Sequence, residues 1–266
     1  MKHFFLALLL PFCVVKAQEL SAYKEFTKDS ARIGIINLTY GPVEVSVFPH
    51  VYFQDSIHIH PKFLINARDS MWLASIPLKH IKDTSKIQLK RFFNIKAMLG
   101  DSKTAKHDST YSYSLPYSKD KPYKVVQGFN GKFTHNSIKS KYAIDFNLAV
   151  GDTIYAAREG IIVRIRDKFK VHGGRDFIDK ANLITILHED GTLAAYVHLD
   201  YQGVLVKPGD FVHRGQPIGI SGLTGFTRGP HLHFVVREGN DKSVPVFFEG
   251  YEKKYLKSGK KYVRKK

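Results

Sequence analysis

Short alternating runs, and not helical repeats, dominate this sequence. Between residues 31 and 117, Val43 to Val47 alternate apolar and polar side chains, and further runs of the same period are separated by turn residues. From residue 123 to 236 no segment keeps a helical period, and Asp190-Gly191 joins two apolar runs as a hairpin turn does. The pattern predicts an all-β chain, with an antiparallel, hairpin-built sheet in its second half.

The first 17 residues have the features of a secretory signal: a basic start, an apolar run over residues 4–15, and a small-residue cleavage site that ends at Ala17. Twelve apolar residues are too few to cross a bilayer, so we expect no transmembrane segment and a secreted or periplasmic, cell-envelope location. Phe12, where a lipoprotein signal has a small residue, argues against a lipid anchor on Cys13, the only cysteine. Apolar cores must therefore hold the mature chain without disulfides.

The remaining length suits two domains. We place a small β-sandwich-like domain at residues 18–120, with a proline-flanked polar linker near its end, a second domain at 121–245 and a basic tail at 246–266. Cleavage removes two of the 41 basic residues and leaves 24 acidic ones, a formal charge of +15. This charge favours anionic partners such as cell-wall polymer. No nucleic-acid recognition module is evident, so we expect no nucleic-acid partner.

Two histidines lie close together after a glycine-rich loop. The run from Gly222 to Phe234 ends in His231-Leu232-His233-Phe234, and because strand side chains alternate faces, both imidazoles project to one side. The spacing alone is a weak signal, since Ile57-His58-Ile59-His60 has it too without glycine or carboxylate neighbours. Three further candidates lie upstream: His135, Asp145 among apolar neighbours, and His198 near the end of a strand-like run.

These residues and their neighbours resemble the lysostaphin-type (LytM-like) zinc metalloendopeptidases, which cut peptidoglycan cross-links. The resemblance covers about residues 128 to 236 and rests on His135, Asp145, Tyr-Val-His-Leu around His198, and the Gly-x-Thr-Gly-x-Thr-x-Gly-Pro-His-Leu-His run. It implies an antiparallel metallopeptidase domain with peptidoglycan as its partner. It also implies one Zn²⁺ per chain, held by His135, Asp145 and His233, with His198 and His231 as unligated catalytic residues.

The implied chemistry follows from the donor set. Two neutral imidazoles and one carboxylate leave a bound zinc ion with a net positive charge and an open position, where the pKa of water falls to about 7. We interpret His198 as general base and His231 as its partner in orienting water and stabilising the oxyanion. Tyr196 is expected to share the face of His198 and either contact substrate or pack, and Arg228 is expected at the lip of the groove, where it would bind substrate.

Two hypotheses about function remain at this stage. The first is a secreted zinc endopeptidase that hydrolyses peptidoglycan stem peptides or cross-links, and the second is a catalytically silent peptidoglycan-binding or hydrolase-activating module. Silent members of such a family usually lack a ligand, whereas all five positions are filled here. We therefore favour the enzyme, and we interpret His188, one hairpin before His198, as structural.

Overall fold

The structure is a computed structural model that describes residues 19–53, 56–119, 121–252 and 254–265. The predicted signal sequence therefore lies outside the described residues. The regular structure is almost entirely strand, which confirms the all-β prediction. The helical elements of the described part are short 3₁₀ turns at Val51–Phe53, Leu78–His80, Leu89–Arg91, Arg175–Lys180 and Gly239–Asp241. None of the described helices has the length and apolar character required to cross a bilayer.

The chain divides into two compact units, Met1–Asp101 and Ser102–Lys266. The described strands of the first unit are β1 (Leu20–Phe26), β2 (Ser30–Asn37), β3 (Val43–Pro49), β4 (His58–Ile59), β5 (Lys62–Ile65), β6 (Ser70–Pro77) and β7 (Phe93–Leu99). They form two antiparallel sheets, ordered β1-β2-β6-β4 and β5-β3-β7. Ile33 and Leu73 from one sheet and Val45 and Phe93 from the other enter one core, as in a two-sheet sandwich.

The second unit contains the histidine motifs. Its described strands are β8 (Ser112–Tyr113), β9 (Tyr123–Gln127), β10 (Ile144–Phe146), β11 (Thr153–Tyr155), β12 (Gly160–Arg166), β13 (His172–Gly173), β14 (Asn182–Leu187), β15 (Leu193–Val204), β16 (Phe211–Val212), β17 (Pro217–Ser221), β18 (Gly225–Phe226), β19 (Leu232–Arg237), β20 (Ser243–Val244), β21 (Phe247–Phe248) and β22 (Lys261–Tyr262).

One large antiparallel sheet organises this unit. Its main path runs β16-β12-β14-β15-β19-β10-β9-β22, with β17 joining β11 to β15 and β20 pairing with β19. The neighbours β14 and β15 are joined by the predicted Asp190-Gly191 turn. Two short parallel pairs, β13 with β18 and β8 with β21, lie outside the large sheet. The strands β10, β15 and β19 therefore run side by side at the centre, and they carry the candidate site.

The boundary between the units differs from the predicted one. It lies at Asp101, whereas the sequence placed it at residue 120. Tyr113 and Tyr117 are fully buried in the core of the second unit, and the Tyr117 ring packs against Tyr123 and Phe146. The proline-flanked segment is thus a turn within the second unit, because burial of these large rings outweighs the polar character of their neighbours.

The basic tail also belongs to the second unit. Lys261 and Tyr262 pair with Lys124 and Tyr123, and Leu256 is buried in the core. The C-terminal residues are therefore part of the folded second unit, and β22 extends its large sheet beyond β9.

Candidate metal centre

Strands β10 and β19 bring Asp145 and His233 together. The two residues are direct partners in the antiparallel register, so their side chains project from the same face of the sheet. Their neighbours Ile144, Phe146 and Phe234 point the opposite way, into the main core. Asp145 Oδ1 and His233 Nδ1 are 2.8 Å apart. Strand side chains alternate between the two faces of the sheet. The apolar neighbours are therefore buried on one face, while the carboxylate and the imidazole lie side by side on the other.

His135 reaches the same point from a series of turns between β9 and β10. Its backbone N–H donates to Gly131 O at 3.0 Å, and its ring Nδ1 lies 2.9 Å from Gly128 O. A carbonyl oxygen can only accept, so Nδ1 carries a proton, and in the neutral ring Nε2 is the nitrogen that has a lone pair for a metal. That Nε2 lies 3.2 Å from Asp145 Oδ1 and 3.4 Å from His233 Nδ1.

The three side chains form a candidate metal site, and among the described residues no other group of His, Cys, Asp or Glu has such a geometry. Two ligands bound to a tetrahedral zinc ion are separated by about 3.3 Å, given metal–ligand bonds of about 2.0 Å. The three donor–donor distances, 2.8, 3.2 and 3.4 Å, lie close to that value. Two imidazoles and a carboxylate are also donors that zinc prefers. The residues therefore fit the ion that the sequence predicted.

The electrostatics of the trio favour a bound cation. Burial raises the pKa of Asp145, but hydrogen bonds from His135 and His233 outweigh it and hold that pKa well below its usual value. Burial lowers the pKa of His233 and is only partly opposed by Asp145. Burial is outweighed by Asp145 at His135 and the pKa of that ring is raised, so a metal that binds there has to displace a proton from it. The site therefore offers an ionised carboxylate and, in His233, an imidazole that favours its neutral form, which is the protonation state that a metal requires of its ligands.

His198 lies beside this trio because of a β-bulge in β15. Asn182 pairs with Leu199 and Leu183 with Val197, so His198 is the extra residue, and its φ is +70°. A positive φ is uncommon for a residue other than glycine, and bulges re-aim the side chains next to them. The ring centroids of His198 and His231 lie 4.6 Å apart, and those of His198 and His233 6.1 Å.

The protonation state of His198 is set by its surroundings. Nδ1 donates to Thr224 O at 2.7 Å, which leaves Nε2 as an acceptor. Burial, together with the neighbouring His231 and His233, lowers the pKa of His198 to about 3. The ring is therefore neutral at pH 7 and can accept a proton through Nε2.

His231 immediately precedes β19 and completes the cluster. Its Nδ1 donates to Gly229 O at 2.9 Å and lies 3.3 Å from the Thr227 hydroxyl. Its Nε2 points toward Asp145 Oδ1 at 3.8 Å. The structure thus brings together all five residues of the predicted metal and catalytic sets.

Tyr196 requires a correction, because it does not share the site with His198. Its side chain is fully buried, its ring packs 5.1 Å from that of Phe234, and its hydroxyl accepts the Ala157 N–H at 2.8 Å. The bulge interrupts the alternation of β15, so that Tyr196 and Leu199, and not Tyr196 and His198, face the main core. The substrate-binding prediction for Tyr196 is therefore wrong, and the residue belongs to the core.

Two polar residues that the sequence did not single out hold the site together. Gln127 donates through Nε2 to Asp145 Oδ2 at 3.1 Å, while its Oε1 accepts the N–H groups of Phe133 and Thr134. Thr224, besides accepting from His198 through its carbonyl, donates its hydroxyl to Leu199 O at 2.8 Å. The position of Thr224 in a glycine-rich loop was a sequence signal that could have identified it. Nothing in the sequence marks Gln127.

The Gly222–Gly225 turn can lie close to its neighbours only because the residues at its two ends have no Cβ. A Cβ on Gly222 would collide with the backbone of Asp200, and Gly225 has a φ of +84° with Ala181 directly against it. The close approach lets Gly222 N–H donate to His198 O at 3.0 Å.

Removal of the Gln127 amide is expected to weaken metal binding. In Gln127→Ala, Asp145 loses the donor that fixes its outer oxygen, and loss of such an outer partner typically costs about 10- to 100-fold in metal affinity. Competition titration with a chromophoric zinc chelator measures the change. Gln88→Ala, at an exposed position of the first unit, serves as control. Equal zinc affinities for Gln127→Ala and the parent protein would contradict this role.

His188 lies outside the metal cluster, as its structural interpretation requires. Its Nδ1 donates to Glu159 O at 2.7 Å, and burial lowers its pKa to about 4. Because the unfolded chain binds the proton more tightly, with a pKa near 6.5, His188 favours folding above about pH 6.5 and loses that contribution as the pH falls toward 4.

The pH dependence of stability should therefore change in His188→Gln. Relative to the variant, the parent protein is expected to lose roughly 3 kcal/mol of unfolding free energy between pH 7.5 and pH 4. Urea unfolding of the two proteins at pH 7.5, 5.5 and 4 measures the difference. If the difference in unfolding free energy between the parent protein and His188→Gln stays constant over this range, burial does not disfavour protonation of His188.

Comparison with known proteins agrees with this geometry. Residues 139–245 match the family model described as Peptidase family M23. The second unit carries an M23 peptidase domain. The match includes Asp145, His198, His231 and His233, while His135 precedes it.

Curated relatives of the M23 domain include two kinds of endopeptidase. Peptidoglycan DD-endopeptidase ShyB from Vibrio cholerae is 35% identical over 124 residues, which are 45% of this chain and 26% of that protein. Glycyl-glycine endopeptidase ALE-1 from Staphylococcus capitis is 38% identical over 94 residues, 35% of this chain and 23% of that protein. The chain thus spans about a quarter of the length of the curated relatives it matches. A solved structure of lysostaphin from Staphylococcus simulans is 29% identical, covers 51% of each chain and has a TM-score of 0.38.

Proposed function

We propose that this protein is a zinc metalloendopeptidase that hydrolyses peptide bonds in the cross-links or stem peptides of peptidoglycan. The observation that carries the proposal is the convergence of His135 Nε2, Asp145 Oδ1 and His233 Nδ1 within 3.4 Å, beside two further imidazoles. The M23 match supports peptidase activity, and the name of the relative ShyB, a peptidoglycan DD-endopeptidase, supports peptidoglycan as the substrate.

The proposed ligands and the two remaining histidines divide the chemistry between them. Bound zinc would supply a water nucleophile of lowered pKa and a positive charge for the oxyanion. His198, neutral and with Nε2 free, accepts the proton of the attacking water and returns it to the departing amine. His231, oriented by Gly229 O, presents Nε2 to the same space and stabilises the charge that develops on the carbonyl oxygen.

The proposed place of action is outside the cytoplasm. The signal-like first 17 residues support secretion or export to the cell envelope. Without the leader, the 39 basic and 24 acidic residues give a formal charge of +15, which favours contact with an anionic polymer such as the wall. Edman sequencing of the exported protein would give a new N-terminus near residue 18 if the leader is cleaved as proposed.

Zymography on purified peptidoglycan tests the activity. The zinc-loaded protein is expected to clear the substrate, the chelator-treated protein to leave it intact, and added zinc to restore clearing. Mass analysis of the released fragments then identifies the bond that is cut. Clearing that persists in chelator would contradict a zinc mechanism, and binding to peptidoglycan without any cleavage would favour the silent-module alternative.

A further inference from the structure

Two loops that carry or lead to residues of the metal centre meet through a pair of aromatic rings. One is the turn segment from Gly128 to His135, and the other is the segment from Gly222 to Pro230. The rings of Phe133 and Phe226 stack at an interplanar angle of 30° with centroids 6.4 Å apart. The contact joins the loop that carries His135 to the loop that leads to His231.

The cation of Arg228 lies over one ring of this pair, that of Phe133. Its guanidinium carbon is 5.0 Å from the centroid of the Phe133 ring, close enough for a cation–π contact. Phe133 is 59% exposed and Arg228 is also exposed, so the ring and the cation are open to solvent. We call Phe133, Phe226 and Arg228 the aromatic lip.

Both sides of the aromatic lip are tied to the metal centre. The backbone N–H of Phe133 donates to Gln127, whose amide also holds Asp145. Between Phe226 and Arg228 lies Thr227, which is buried and whose hydroxyl donates to Gly229 O at 2.7 Å and contacts the ring of His231. These hydrogen bonds hold the two loops of the aromatic lip in a fixed position relative to the metal centre.

The charge of Arg228 has no partner among the residues that the structure describes. No hydrogen bond or ion pair involves its guanidinium there, so the N–H donors of the planar group remain available to a ligand while the Phe133 ring lies 5.0 Å from its central carbon. Arg214 offers a contrast in the same unit, because it lies 3.9 Å from Glu249 and 3.4 Å from Ser112 O. An arginine held in place by a ring and lacking an anion is suited to receive a carboxylate in bidentate fashion.

We propose that the aromatic lip binds a carboxylate of the peptide substrate close to the scissile bond and so selects acidic stem peptides over uncharged glycine bridges. This inference rests on the proposed function and specifies its substrate class. Phe133 and Phe226 cover the apolar part of the peptide, and Arg228 pairs with the carboxylate. An uncharged glycine bridge offers neither a side chain for the rings nor an anion for the guanidinium.

A matched pair of substrates tests the inference. A cross-linked stem-peptide dimer is synthesised with its acidic residues either as free carboxylates or as carboxamides, and oligoglycine serves as a third substrate. The zinc-loaded full chain is expected to favour the carboxylate form over the carboxamide form about tenfold in kcat/KM, mainly through KM, and to cleave oligoglycine poorly. Higher ionic strength should reduce this preference.

Three arginine variants identify the residue that causes the preference. In Arg228→Gln the carboxylate-to-carboxamide ratio should fall to about one, whereas in Arg214→Gln, which removes the same charge elsewhere in the unit, the ratio should stay as in the parent protein. Arg228→Lys, which keeps the charge but not the planar fork, should give an intermediate ratio. A parent ratio near one, or a ratio that Arg228→Gln leaves intact, would overturn the inference.

Binding measurements separate this inference from the proposed activity. Isothermal titration of both dimers into the zinc-loaded His198→Asn variant, in which turnover should be slow, gives their dissociation constants directly. Tighter binding of the carboxylate form, lost on Arg228→Gln in the same background, supports the lip even if no peptide is ever cleaved. Cleavage of all three substrates with equal kcat/KM would instead leave the proposed function standing and refute the lip.

Discussion

Asp145→Asn is expected to abolish zinc binding at neutral pH, lowering the affinity by at least about 1,000-fold, and to remove peptidoglycan hydrolysis with it. Asp145 is the only anion of the proposed ligand set, and hydrogen bonds from His135 and His233 keep it ionised. An amide of the same size removes the charge and replaces one carboxylate oxygen with an NH₂ group that cannot bind a cation. The charge attraction for the metal is then lost, and the remaining amide oxygen is a weaker donor than the carboxylate that it replaces.

The same substitution separates a metal site from a purely structural network. Without metal, Asp145 accepts hydrogen bonds from Gln127 and lies against two imidazoles, so a structural role alone would also make it buried and ionised. The two roles predict different effects of added zinc on thermal stability. If Asp145 binds zinc, added zinc should raise the thermal stability of the parent protein but not that of Asp145→Asn, because only binding to the native state stabilises it.

Two measurements decide the matter. Competition titration gives the zinc dissociation constants, and thermal unfolding with and without zinc gives the stabilisation. Asp210→Asn is the control, since Asp210 is an exposed turn residue that accepts the Lys207 N–H at 2.7 Å. Zinc affinity of Asp145→Asn within about threefold of the parent would mean that the proposed ligand set is wrong.

The sequence was sufficient to predict the members of the site because each lies in a local pattern. The alternation of β19 places His231 and His233 on one side of the chain, and glycines before them mark the close approach of a loop. Asp145 stood out as a carboxylate among apolar residues. What the sequence could not supply was the register that makes Asp145 the direct partner of His233, since pairing between distant strands depends on how the whole core packs.

The failures also have physical causes. Tyr196 was placed beside His198 because strand side chains at i and i+2 share a face, but a bulge with a positive φ at a histidine is not predictable from side-chain type. The boundary at residue 120 was wrongly placed because proline and polar residues indicated a linker, while the burial of Tyr117 depends on rings that come later in the chain. Gln127 was missed because an amide has no metal-binding or acid–base signature of its own.

His198→Asn is expected to lower kcat about 100- to 10,000-fold while leaving zinc affinity within about threefold of the parent value. The proposed general base is the only one of the five site residues with a positive φ, and asparagine tolerates this conformation better than alanine does. Its side-chain NH₂ can also replace Nδ1 as the donor to Thr224 O, a bond of 2.7 Å in the structure. The variant therefore keeps the backbone and the loop contact and removes only the acceptor Nε2.

Steady-state hydrolysis of a defined cross-linked stem peptide, together with zinc titration, checks this prediction. His213→Asn, at an exposed position of the same unit, is the control for loss of an imidazole. Because burial and the neighbouring His231 and His233 lower the pKa of His198 to about 3, the parent protein should hold this base in its active, neutral form throughout the range from pH 5 to 8. A kcat for His198→Asn within tenfold of the parent would assign proton transfer to another residue, with His231 the next to test, since its ring lies 4.6 Å away on the same side of the metal centre.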